Sequence, residues 1–266
     1  MASVACRGSA AQILLIGIYD SGLGGLTVLR ALRQRMPDVD IIYLADTKNL
    51  PYGTKPPAFL QERADIVFSY FKKQGIQLLI CACGTVSTVV LEKANSSKDF
   101  PILGVARPTI DLLLRSNFGR VAILATEATV KSGVFQSKLA CSSSKLLTLP
   151  CPALVSLAES GVKPESEGAL SRIAYALSPL VRFHPDAIVL GCTHFPIFTE
   201  AIKTIFPTSA VIDCGKVALD TIAPDALALG TGKTTYCTTG STEQFLRSAK
   251  SLFSPAKEDL ITQIPL

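Results

Sequence analysis

The sequence predicts an α/β fold built on mainly parallel sheets, and three observations predict it. Short apolar runs recur along the chain with helical patterns between them, at 13–19, 41–45, 77–82, 102–105, 120–125, 187–191 and 210–213. Runs that are apolar at nearly every position are how strands buried on both faces read, and their alternation with helices is the rhythm of βαβ units. Two of the runs stop at a cysteine followed by small or hydroxyl residues: Leu78-Leu79-Ile80-Cys81-Ala82-Cys83-Gly84-Thr85 and Ala187-Ile188-Val189-Leu190-Gly191-Cys192-Thr193-His194. Open α/β sheets bind ligands at the carboxyl ends of their strands, so both thiols are expected at ligand-binding edges. The third observation is a weak internal repeat. Leu14 to Ser21 and Val121 to Thr126 each pass from a strand into a small polar turn and then a helix, and each lies upstream of a strand ending in Cys. A duplicated half would set two related strand ends face to face across a cleft; a chance recurrence of strand-helix grammar explains the repeat nearly as well.

Taken in order, the first run follows Arg7 and superficially resembles a secretion signal. It is too short, no Ala-x-Ala cleavage site follows, and it enters a Gly-rich turn as a first strand does. That turn, Asp20-Ser21-Gly22-Leu23-Gly24-Gly25, precedes a helix beginning near Leu26. Backbone N–H groups at such a helix start suit a carboxylate, and a plain tight turn fits equally well. The glycine spacing is not the dinucleotide-binding one. After the strand at 41–45, Asp46 to Gly53 reads as a structured loop able to close over a ligand with Tyr52 as its cap, or as an ordinary Pro-Tyr-Gly turn.

The segment 58–74 carries apolar residues at helical spacing (Leu60, Ala64, Ile66, Val67, Tyr70, Phe71) and ends at Gly75, which predicts an amphipathic helix. The segment 163–184 predicts another, leading into the strand of Cys192, with His184 as a capping or surface residue. Thr238-Thr239-Gly240-Ser241 before Gln244-Phe245-Leu246 reads as a closing strand, a capped turn and a helix, by which the chain after Asp213 crosses back. Two domains are preferred over one for 266 residues, with a first boundary near Pro108.

The composition, 48% apolar and 18% charged without a long polar tract, argues against disorder. A net charge of +5 carried by scattered residues leaves no nucleic-acid or membrane-surface footprint. Nothing approaches the run of about 20 apolar residues that a membrane helix needs. Eight cysteines are an even number, but a chain this large and apolar needs no staples, and reduced cytoplasmic thiols are expected. Cys81-Ala82-Cys83 lacks both CxxC spacing and a second ligand pair, so no metal is expected.

Any single Cys is first of all a small buried apolar residue. Thr85 and Ser87 after Cys83, and Thr193 and His194 after Cys192, supply the other reading, because an imidazole or helix N-terminus lowers a thiol pKa. A thiol and a thiolate on opposite sides of one carbon can take a proton from one face and return one to the other. The stereocentre inverts, and no cofactor is required.

Asp20 to Leu26, Pro51-Tyr52-Gly53, Cys83 with Thr85 and Ser87, Thr129-Val130-x-Ser132, Cys151-Pro152 and Gly191-Cys192-Thr193-His194-Phe195-Pro196 together resemble the glutamate racemases, within the aspartate/glutamate racemase superfamily. The resemblance runs from Ile16 to about Phe253. It implies two pseudo-symmetric α/β domains facing each other across an interdomain active site. Residues 1–107 plus 214–266 would form the first and 108–213 the second. The implied reaction is racemisation of L- and D-glutamate, cofactor-independent, supplying D-glutamate for peptidoglycan in the cytoplasm. Cys83 and Cys192 would be its paired acid and base, assisted by Asp20 and His194. Ser21, Tyr52, Gly53, Gly84, Thr85 and Thr193 would contact the substrate beside Asp20 and His194. The expected partner is a small-molecule amino acid, with a homodimer left open.

Three positions depart from the family pattern. Cys-Asn-Thr becomes Cys83-Gly84-Thr85, which removes an amide; losing such a hydrogen-bonding group costs about 1–3 kcal/mol unless it is replaced. An acid before the boundary proline becomes Arg107, which is expected to alter the local field. A common Ser becomes Cys214, a neutral exchange. The first two keep open a racemase or epimerase of another amino acid, such as aspartate or a diamino acid, and a weakly active binding or regulatory relative.

Overall fold

The computed structural model describes residues 14–92, 99–223, 230–249 and 259–266. Cys6, Arg7, the start of the first apolar run and Phe253 lie outside the described residues. The first six-stranded sheet is formed by β1 (Leu15–Asp20), β2 (Asp40–Ala45), β3 (Leu78–Cys81), β4 (Ile102–Gly104), β9 (Thr234–Thr238) and β10 (Leu260–Gln263), in the order β10-β9-β2-β1-β3-β4. A second sheet of β5 (Arg120–Ala125), β6 (Lys145–Pro150), β7 (Ala187–Leu190) and β8 (Ala210–Asp213) runs β6-β5-β7-β8. Every pairing is parallel. The order β2-β1-β3-β4 therefore recurs as β6-β5-β7-β8, and the weak sequence repeat corresponds to a repeated topology. Cys83 and Cys192 each follow the third strand of their set by two residues.

Both faces of each sheet are buried, which is why the strands read as unbroken apolar runs rather than alternating ones. Ile41, Tyr43 and Ala45 pack on one side of the first sheet, and Ile42 and Leu44 on the other. In β5 and β7 the split is Ala122, Leu124, Ile188 and Leu190 against Val121, Ile123, Ala187 and Val189. Beyond β7, Phe195 and Phe198 are fully buried in the same core as Cys192. Each ring contributes about 1.5–3 kcal/mol by that burial, so the loop carrying the thiol is anchored from its far end.

The helix Pro57–Gln74 has Pro at its first position and ends on Gly75 at φ 69°. Proline lacks only a donor that the helix start leaves unused, and glycine adopts the left-handed end without strain. The expectation of one helix over 163–184 is corrected. Ser166 caps a helix Glu167–Ala176, and a second one, Ser178–Phe183, follows. Pro179 cannot donate to the ladder, which divides the helix there. His184 then caps the second helix in the left-handed region at φ 50°. The expected closing strand is Thr234–Thr238, Ser241 Oγ accepts Gln244 N at 3.3 Å in the turn, and the helix after it spans Thr242–Ala249. Strands β6 and β10 were not expected; both lie at sheet edges and are half exposed, and polar residues (Thr148; Thr262 and Gln263) cut their apolar runs short.

No helix among the described residues is long and apolar enough to cross a membrane. The seven described cysteines are free.

Candidate active site

The carboxyl ends of β1, β3 and β7 converge on a cavity of ≈ 220 Å³. Cys83 and Cys192 both line it, as do Gly84, Thr85, Thr193 and His194 from the same two turns. Ser21, Tyr52 and Gly53 complete the expected set around it. Asp20 alone stands behind the wall, completely buried.

Asp20 explains the Gly-rich turn. Its carboxylate accepts from Gly25 N at 2.8 Å and Gly22 N at 3.3 Å, so donors that might have met a ligand already hold this side chain. Thr193 Oγ1, from the second sheet, donates to Asp20 Oδ1 at 3.2 Å. Burial raises the Asp20 pKa, against the pull of His194 and these hydrogen bonds.

The two thiols have different surroundings. Cys83 Sγ lies 3.7 Å from Ser21 Oγ, and its pKa is pushed up to about 12 by burial and then by the Asp20 charge. Both effects favour its thiol form. Cys192 Sγ lies 3.6 Å from His194 Nδ1, and His194 Nε2 is 2.5 Å from Glu159 Oε1. Burial works against the charged imidazole, but the hydrogen bonds to Cys192 and Glu159 overcome it and raise the His194 pKa well above its ordinary value. A protonated ring sets a charged N–H donor beside the Cys192 sulfur.

The Tyr52 hydroxyl is already engaged. The hydroxyl donates to Asp46 Oδ2 and meets Tyr19 at 2.8 Å. Arg63 holds both Asp46 oxygens at 3.0 Å through two nitrogens, and Thr239 donates to Asp46 at 2.7 Å. The loop bearing Tyr52 and Gly53 is thus fastened to the core of the first sheet.

Among the contributors that were not anticipated are Glu159 and Thr126. Glu159 ends the helix Pro152–Glu159 that starts at Cys151-Pro152; nothing in its local sequence distinguishes it from a solvated helix residue. Thr126 also lines the cavity, bonds Thr85 Oγ1 at 2.9 Å and caps the helix Glu127–Ser132 through Thr129 N. A Thr three residues before Thr129 at a strand end is a capping signal that could have pointed to it.

Arg107 does not bear on the site. It is exposed, pairs with Asp111 at 3.1 Å and Glu92 at 3.9 Å, and is absent from the cavity wall. The altered field expected of it is answered by these two acids. Cys214 is buried, its pKa raised to about 12 chiefly by that burial. Among the described residues no group of three or more His, Cys, Asp or Glu could hold a metal ion.

Residues 26–222 match the family model described as Asp/Glu/Hydantoin racemase. A glutamate racemase of Aquifex aeolicus is 31% identical over 248 residues, covering 93% of this chain and 97% of that one. Among solved structures, a glutamate racemase of Bacillus anthracis shares the fold with a TM-score of 0.85 at 24% identity, covering 95% of this chain and 98% of the other. A glutamate racemase of Francisella tularensis in complex with D-glutamate gives a TM-score of 0.81 at 25% identity, covering 94% and 97%.

Proposed function

The chain belongs to the Asp/Glu/Hydantoin racemase family, and on that premise we propose that it interconverts L- and D-glutamate by a two-cysteine mechanism. One observation carries the reading: two thiols, each two residues beyond the equivalent strand of a repeated topology, line one cavity.

Cys192, acting as thiolate beside the His194 ring, removes the α-proton from one face of the substrate. The electron pair stays on the α-carbon and its carboxylate. Cys83 donates its thiol proton to the opposite face and is left as thiolate, and the other enantiomer reacts by the same steps in reverse. The α-proton beside an ionised carboxylate is very weakly acidic, so fixed donors around a mostly enclosed cavity must stabilise the carbanion-like state. Among the described residues no Lys or Arg lines the cavity. The substrate carboxylates are therefore held by the hydroxyls of Ser21, Thr85, Thr126 and Thr193 and by backbone N–H groups at Tyr52 and Gly53. Asp20 fixes Thr193, and Glu159 fixes His194.

The same reading takes residues 1–107 plus 214–266 and residues 108–213 as two domains closing on the cavity. It also puts the reaction in the cytoplasm, without cofactor, as a source of D-glutamate for peptidoglycan. A racemase of another amino acid is the second reading, now resting on Gly84 alone.

The test is α-proton exchange of L- and D-glutamate in deuterated water, followed by NMR and chiral analysis. Deuterium entering with inversion supports the proposal. Its absence with glutamate, and presence with aspartate or a diamino acid, would overturn it in favour of the second reading.

A further inference from the structure

The turn after Cys83 and the turn carrying Cys192 meet backbone to backbone. A Cβ placed on Gly84 would lie 2.2 Å from Gly191 O, 3.3 Å from Gly191 C and 3.8 Å from Cys192 Cα. The first distance is shorter than atoms tolerate, and the obstacle is a carbonyl rather than a side chain that can swing away. We infer that Gly84 is a positioning residue whose missing side chain lets the two thiol-bearing turns seat on each other, and that this contact sets the spacing of Cys83 and Cys192 across the substrate. The inference rests on the two-cysteine reading above.

Neither turn has room to retreat. Gly191 N donates to Leu124 O at 2.8 Å, which fixes the end of β7 to β5. On the other flank of Cys192, a Cβ on Gly24 would lie 2.4 Å from Thr193 Oγ1 and 2.8 Å from His194 N. Thr27 Oγ1 also donates to Thr193 O at 3.2 Å there. The Cys192 turn is thus gripped on both sides by loops of the first sheet. On the partner side, Cys83 O accepts Ser87 N at 2.9 Å and Gly84 O accepts Thr88 Oγ1 at 3.0 Å, so the Gly84 turn is equally fixed. Any side chain at position 84 must therefore move one thiol-bearing turn away from the other.

This gives the departure from Cys-Asn-Thr a physical meaning. In this chain a direct backbone contact stands where the family pattern has a side-chain amide, and putting the amide back would open the cleft rather than complete it. Abstraction and return of a proton by one thiol needs only that thiol in place, whereas inversion needs both at the same carbon. Widening the pair separates these two outcomes.

The experiment measures, for wild type, Gly84→Ala and Gly84→Asn, the inversion of L- and D-glutamate and the deuterium found in the recovered starting enantiomer. In Gly84→Ala inversion is expected to fall by about 100-fold, the scale of a misplacement of about 1 Å, with exchange largely kept and KM little changed. Gly84→Asn is expected to fall further. An unchanged ratio of inversion to exchange in Gly84→Ala, or faster inversion in Gly84→Asn, overturns the inference while leaving the racemase reading intact. Wild type that neither exchanges nor inverts glutamate overturns the racemase reading instead. If the variants do not fold, a crystal structure of the unaltered chain with D-glutamate decides: contact between Gly84 and Gly191 supports the inference, and a gap wide enough for a Cβ overturns it.

Discussion

Glu159 Oε1 lies 2.5 Å from His194 Nε2, while the other ring nitrogen, Nδ1, lies 3.6 Å from Cys192 Sγ. A carboxylate from the end of one helix is thereby linked through a buried imidazole to a thiol at a strand end. Glu159→Gln keeps the shape and removes the charge. It is expected to lower kcat about tenfold, the equivalent of one pKa unit at His194, with KM little changed and the His194 titration moved downward in NMR. An unmoved titration would show that Glu159 does not act through the ring.

The raised His194 pKa also has a stability consequence, and its sign is fixed. A histidine whose folded pKa exceeds the unfolded value of about 6.5 contributes stability that is complete below that value. The contribution is lost as pH rises through the folded pKa. The stability gap between wild type and His194→Asn, followed by denaturant unfolding, is expected to be widest in mildly acidic buffer and to narrow as pH rises. A gap that widens with pH would contradict the assigned direction.

Cys83→Ser and Cys192→Ser are each expected to reduce inversion by at least about 100-fold, the contribution of a positioned acid or base. Exchange should become one-sided, each variant keeping washout from the face served by the remaining thiol. With Cys83 pushed up to about 12, exchange begun by Cys83 should climb with pH across the alkaline range. Equal two-sided exchange in either serine variant would remove that cysteine from the mechanism.

Arg63 and Asp46 make a buried ion pair beside the site. Both are buried, and removal of the guanidinium leaves an uncompensated carboxylate in the core. Arg63→Ala is expected to cost about 3–5 kcal/mol and to raise KM, because Tyr52 and Gly53 hang from Asp46. Arg63→Lys keeps the charge but not the two-pronged geometry, and should fall between. Burial alone would raise the Asp46 pKa, but Arg63, Tyr52, Asn49 and Thr239 together depress it. Its contribution is therefore present above about pH 3.9 and lost as pH falls through the lower folded value. Thermal midpoints of the three proteins at neutral and acid pH test both statements.

Local chemistry made much of this protein legible from its sequence. Seven of the ten described strands announce themselves as apolar runs, five of them because burial on both faces demands it, and Gly75 marks a helix end because only glycine sits there without strain. Cys83 and Cys192 stand out because each closes such a run. The edge strands β6 and β10 escaped because Thr148 interrupts one and Thr262-Gln263 ends the other, and Pro179 divided a helix whose apolar spacing continued across it.

What the tertiary structure alone decided are the relations between residues far apart in the chain. Glu159 meeting His194 and Asp46 fastening Tyr52 and Thr239 depend on packing around one sheet, while Thr126 meeting Thr85 and Gly84 resting on Gly191 depend on how the two sheets are set against each other. Arg107 shows the converse, since its neighbours in the fold, Glu92 and Asp111, turn a suspected site charge into a surface pair. Residue type and short spacing encode strands, caps and reactive groups, because those follow from backbone geometry and burial within one element. Distance and partner follow from packing between elements, which no local pattern records.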